Sequence, residues 1–155
     1  MAKQITLLLS FITAILIVVV SANQSAKNFG KISLPLGKVE VQSNGTGAWA
    51  KAKPNFPVSE GDIIRTLAKS RCEITLVGGG KVRIGENAEL VLNKTSVKPM
   101  EKKFNASLKK GDIWVSAKAA FGENKNVSVR TPTAVAAIRG TKYRAKSGED
   151  ESEVL

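Results

Sequence analysis

The sequence predicts a mainly β domain of short strands, arranged as a two-sheet sandwich or as a β-solenoid-like stack. Three observations carry that expectation. Apolar residues recur at a period of two in Val39/Val41, Ile74/Leu76, Val82/Ile84, Leu90/Leu92, Ile113/Val115 and Val127/Val129, the pattern of strands with one buried face. Glycine-rich turns separate these runs, because glycine reaches positive φ and Asn or Asp closes a turn on nearby backbone. Ile74, Val82 and Leu90 also lie eight residues apart, as do Leu76, Ile84 and Leu92, so that successive strands would present the same face. Outside the first residues no window repeats at helical spacing over three turns.

The elements follow in chain order. Lys3 precedes an apolar run from Ile5 to Val20, broken only by Thr6, Ser10 and Thr13, and Val20-Ser21-Ala22 supplies the small residues a signal peptidase needs. Residues 1–22 therefore read as a signal peptide, with a mature N-terminus at Asn23. An uncleaved anchor is the alternative, since Ile5–Ala22 is just long enough to span a bilayer and would bring the chain to the membrane. Residues 23–36 read as a lead-in, polar through Lys31, 37–146 as the β domain, and 147–155 as an acidic tail holding Glu149, Asp150, Glu151 and Glu153.

Within the domain, Trp49 and Trp114 are read as core side chains, as a Trp in a small β domain usually is. Cys72 alternates with Ile74 and Leu76 and reads as a buried thiol. Gly78-Gly79-Gly80-Lys81 lacks the spacing of a phosphate-binding loop and reads as a hairpin turn. Val58-x-x-Gly61-Asp62-Ile63 is echoed by Leu108-x-x-Gly111-Asp112-Ile113, each expected to be a strand end, a tight Gly-Asp turn and a new strand.

Chemistry is sparse. There is no His and a single Cys, which removes Ser–His and Cys–His nucleophile pairs, zinc sites and intramolecular disulfides. Glu86 and Glu89 flank a turn, where they cap backbone and face water rather than act as a glycosidase pair. No catalytic, cofactor-binding or metal-ligating residue is assigned, no cofactor is expected, and the chain is read as no enzyme. The net charge of +11 points to acidic partners, and export turns that away from nucleic acid toward an envelope protein or an anionic envelope polymer.

Gly37-Lys38-Val39, Trp49-Ala50-Lys51-Ala52 and Val58-Ser59-Glu60-Gly61-Asp62-Ile63-Ile64-Arg65-Thr66 stand in order along the chain. Ser70–Leu76, Gly80–Leu90 and Leu108-Lys109-Lys110-Gly111-Asp112-Ile113-Trp114-Val115 follow. The series ends with Val129-Arg130-Thr131-Pro132 and Ile138-Arg139-Gly140-Thr141-Lys142-Tyr143. From Gly37 to Tyr143 this series resembles the FecR domain family of bacterial envelope proteins. The resemblance implies an all-β periplasmic domain, often a ligand- or protein-sensing module in iron-uptake signalling. Few residues precede the apolar run, so a stand-alone exported module without a cytoplasmic anti-sigma segment is expected.

The signature residues Gly61, Asp62, Arg65, Thr66, Gly111, Asp112, Thr131, Pro132, Arg139 and Gly140 are read as structural. Asp62 and Asp112 would accept backbone N–H bonds, and Pro132 would sit at a strand start or edge. Arg139 would pack across the sheet onto carbonyls or a carboxylate. The partner-binding surface is expected on an open strand edge at Thr141, Lys142, Tyr143, Arg144 and Lys146, where the basic side chains favour an acidic peptide. The expected function is binding of a protein partner or ligand in the periplasm or at the cell surface, in envelope signalling; the alternative is attachment to anionic envelope material.

Overall fold

A computed structural model describes residues 28–117, 124–139, 142–148 and 152–154. The signal-peptide reading of residues 1–22 therefore lies outside the described residues. Thirteen strands account for the fold, and no α-helix occurs among the described residues. They are β1 Asn28–Leu36, β2 Val39–Gln42, β3 Ala50–Lys51, β4 Phe56–Ser59, β5 Ile63–Thr66, β6 Arg71–Leu76 and β7 Lys81–Ile84. Then come β8 Glu89–Lys98, β9 Glu101–Ser116, β10 Asn124–Arg130, β11 Val135–Arg139, β12 Lys142–Ser147 and β13 Ser152–Val154. Every period-two pair of the sequence lies on one of these strands with both members buried, Val39/Val41 on β2 through Val127/Val129 on β10.

Strand β9 organises the sheet. It is 16 residues long, and its two ends serve different neighbours. Glu101–Lys110 pairs antiparallel with β8, and Glu101–Ser107 pairs parallel with β10. Ile113–Ser116 pairs with β7, and Gly111–Ser116 with β12. One arm of the sheet therefore runs β3-β2-β5-β8-β9-β10-β11, and the other β4-β1-β6-β7-β9-β12-β13. The ladder is continuous through β9, giving one curled, mostly antiparallel sheet where separate sheets of a sandwich or coils of a solenoid were expected. The eight-residue spacing reflects that geometry in part. Ile74 faces Val82 across a hairpin, but Leu90 lies in the other arm, because the chain crosses over between β7 and β8.

The inward faces of both arms share one apolar core. Phe29 of β1 and Phe104 of β9 meet edge to face at 5.3 Å between ring centres, tying the arms together. Phe29 and Ile32 are fully buried, so residues 28–36 form a central strand, paired with both β4 and β6, where a lead-in was expected. Their spacing hid the strand. A β-bulge between Ile32 and Leu34 reverses the alternation, so that Leu34 and Leu36 turn outward, opposite Glu73 and Arg71. The Ser33 hydroxyl at the bulge donates to the Glu73 carbonyl (3.1 Å) and accepts from Thr75 (3.1 Å).

Candidate binding groove

The outer face of the β1-β6-β7-β9-β12 arm forms a broad, open groove. Its floor follows from strand register. Glu73, Arg83, Trp114 and Arg144 stand side by side across β6, β7, β9 and β12, and Thr75, Lys81, Ser116 and Lys142 form the next row. Each alternates with a buried neighbour on its own strand, so the inward period that builds the core also aims these side chains at solvent.

Apolar side chains are exposed at two places on this face, Trp114 on β9 and Leu34 and Leu36 on β1, with Glu73 and Arg83 between Leu34 and Trp114. Trp114 is 42% exposed, and Leu34 (54%) and Leu36 (38%) line the same groove. Trp114 thus lies outside the core, contrary to expectation, because it sits one residue from Ile113 and Val115, both buried. Its indole is flanked by the Arg144 guanidinium at 4.8 Å.

The charged lining is mostly cationic. Lys69, Arg71, Lys81, Arg83, Lys142 and Arg144 line the groove against only two carboxylates, Glu73 and Glu86. Glu73 is buried and takes Lys81 Nζ at 2.8 Å and Arg83 Nε at 2.9 Å. The hydrogen bond from Lys81, then that from Arg83, holds its carboxyl below the usual carboxylate range against the opposing effect of burial. Glu86 accepts the Lys69 N–H (2.7 Å), so it caps backbone as expected. Arg144 donates to Asp112 Oδ2 through Nη2 at 2.7 Å, while Arg144 Nε and Asp112 Oδ1 are buried without a partner among the described residues. Two charged side chains beside Trp114 thus keep unused hydrogen-bonding capacity.

The second Trp–Arg pair behaves differently. Arg65 lies 3.8 Å over Trp49, which is half-buried on the outer face of the other arm rather than in the core. Arg65 also meets Glu40 at 2.7 Å, which lowers the Glu40 pKa through that hydrogen bond. Register sets Lys51, Glu40, Arg65, Glu89 and Lys110 in a row of alternating sign. Charge on that face is compensated; in the groove it is not.

The remaining signature residues take the following places among the described residues. Thr66 is buried, donates to the Gly85 carbonyl (2.6 Å) and accepts the Ala88 N–H (3.0 Å), fastening the β7–β8 crossing. Thr131 accepts the Ala134 N–H (3.0 Å) and closes the turn between β10 and β11, and Pro132 sits in that turn rather than on a strand. Arg139 ends β11 at the register position opposite Asn126. Gly140 and Thr141 lie outside the described residues. Cys72 is buried, and burial pushes its thiol up to about 12, which makes it unreactive at neutral pH.

The expected open edge is only partly open. Lys142 and Arg144 line the groove, Lys146 is exposed, and Tyr143 turns inward to donate to the Val127 carbonyl (3.3 Å). Strand β12 pairs with β9 along its length, and β13 pairs with Ala145–Ser147 on the other side. An acidic segment can form that strand because an edge strand needs backbone bonds on one side only. The sequence reading missed Leu34, Leu36, Arg71, Lys81 and Arg83 as residues of one groove with Trp114. Their outward phase was legible in the alternation, but which strands lie side by side was not.

The family model described as FecR protein matches residues 62–155. The match covers every groove strand except β1 and extends through the acidic tail. No curated protein and no solved structure matches the chain.

Proposed function

The chain belongs to the FecR protein family, and on that premise we propose that it is an exported, non-catalytic binding domain in bacterial envelope signalling. Its ligand is an acidic segment of an envelope protein, docked in the groove at the periplasmic side of a membrane or at the cell surface. The observation that carries this reading is the half-exposed Trp114, set among Lys81, Arg83, Lys142 and Arg144 with Leu34 and Leu36 in the same groove. An apolar anchor ringed by cations suits a partner that brings one apolar side chain and several carboxylates. The cation excess also favours a second reading, attachment to an anionic envelope polymer.

Photo-crosslinking from position 36 in living cells separates the two. A protein adduct with an acidic segment at the crosslink, lost in Trp114→Ala and persisting in high salt, is the expected result. Adducts with polymer alone, or adducts that vanish with salt and ignore Trp114→Ala, overturn the protein reading, because dispersed electrostatic contacts are screened and an apolar anchor is not.

A further inference from the structure

Strand β12 has one edge fully paired and one edge half used. Toward β9 it is paired from Lys142 to Ser147. On the opposite side β13 meets only Ala145, Lys146 and Ser147, and among the described residues no strand lies beside the outer edge of Lys142, Tyr143 and Arg144. The side chains of β12 that face away from the core are all cationic, namely Lys142, Arg144 and Lys146, while Tyr143, Ala145 and Ser147 are buried.

The strand that occupies part of this edge, Ser152-Glu153-Val154, carries one acidic residue at its middle position. Register puts Glu153 opposite Lys146. Glu149, Glu151 and Glu153 recur at every second position of the segment that leads into β13 and forms it. Unlike charges directly opposed across two strands stabilise the pairing, and like charges oppose it. The chain therefore displays, in a contact of only three residues, the kind of strand that this edge accepts.

We infer that the outer edge of β12 is a docking site for an extended acidic polypeptide of a partner, which displaces β13 and pairs along the whole strand. Backbone N–H and C=O groups of β12 supply the affinity. Lys142, Arg144 and Lys146 select carboxylates at alternate positions of the incoming strand. A polysaccharide could meet the same cations but could not extend the ladder, so the edge selects polypeptide. This site shares Lys142 and Arg144 with the groove but uses the backbone of β12 in place of Trp114, Leu34 and Leu36, so it stands whether or not the groove binds.

The test is hydrogen exchange on the full chain titrated with a synthetic peptide of alternating Glu and Val. Amides within 142–147 should gain protection with this peptide and not with one of alternating Lys and Val. Glu153→Lys, which opposes two cations at Lys146, should weaken β13 and tighten peptide binding by about fivefold. Unchanged protection in β6 and β7 would show that this variant remains folded, and Glu153→Gln should give a smaller gain in the same direction. New protection along the outer edge of 142–147 reports strand addition, which side-chain docking in the groove does not produce, so failure of the groove and failure of the edge are distinguished. Absence of new protection at 142–147, equal protection by an anionic polysaccharide, or no gain with Glu153→Lys would overturn the inference.

Discussion

Two corners of this molecule carry the same Gly-Asp-Ile sequence and hold the chain by different means. At Gly61-Asp62 the chain leaves β4 in one arm and enters β5 in the other. Gly61 has φ +93°, and the Asp62 carboxylate accepts the Ser59 N–H (2.8 Å) and the Asn44 N–H (2.9 Å), so the corner is tied largely by its own side chain. At Gly111-Asp112 there is no turn. The chain stays in β9 and passes between arms at a kink where Gly111 has φ +90°. Among the described residues Asp112 accepts no backbone N–H, contrary to expectation, and instead takes the Arg144 guanidinium. What fills the space differs as well. A Cβ on Gly61 would meet Asn44 Oδ1 at 2.6 Å, the end of a side chain that can swing away. On Gly111 it would meet the Ala88 Cα at 2.5 Å, which is backbone. A repeated motif thus marks where the chain changes arm, and the neighbours decide how firmly each copy is held.

The largest test of that contrast is a pair of glycine substitutions. Gly111→Ala combines positive φ with a backbone clash and should cost about 3 kcal/mol or more in denaturant unfolding. Gly61→Ala suffers mainly the backbone penalty, about 1–2 kcal/mol. Equal losses would mean that Ala88 yields and that the two corners are alike.

The aspartates should rank the other way. Asp62→Ala strands two backbone donors at a buried carboxylate site and should cost about 2 kcal/mol. Asp112→Ala removes a single contact to a half-exposed arginine and should cost less than about 1 kcal/mol. Paired unfolding curves measure both, and a larger loss at Asp112 would show that its ion pair, rather than Gly111, holds the second corner.

A smaller effect lies outside both corners and sets the scale for surface charge. Lys81 and Arg83 hold the Glu73 pKa below its ordinary 4.5, so this carboxylate contributes stability above the normal carboxylate range and loses it as pH falls through the depressed value. Both partners are more than half exposed, which keeps the contribution below about 1 kcal/mol. Stability measured between pH 6 and 3 should show an acid limb that Glu73→Gln reduces slightly. A drop as large as that of Asp62→Ala would mean that the charged groove lining carries as much stability as the corner.

Much of the fold was legible because its signals are local. Alternation identified the buried faces of β2, β6, β7, β8, β9 and β10, and the triglycine turn joins β6 to β7 as read. Strand β1 escaped because its bulge breaks the period after Ile32, and β13 escaped because a run of carboxylates does not read as a strand. The groove was half legible. Trp114, Lys142 and Arg144 were singled out, yet for the wrong setting in the case of Trp114, since an isolated Trp next to two core residues does not announce its face.

By itself the sequence determined an all-β chain, the inward phase of most strands, the places where the chain turns, and a basic domain with an acidic end. These depend on the geometry of single residues and near neighbours: the two-residue period of a strand, the positive φ open to glycine, and charge. Only the tertiary structure decided that β9 would join two arms, that Leu34 and Leu36 would turn outward into the groove that Trp114 also lines, and that Glu153 would stand opposite Lys146. Each of these depends on which distant strand becomes a hydrogen-bonded neighbour. That choice rests on contacts between residues far apart in the chain, and a bulge of one residue is enough to reverse the face that a side chain presents.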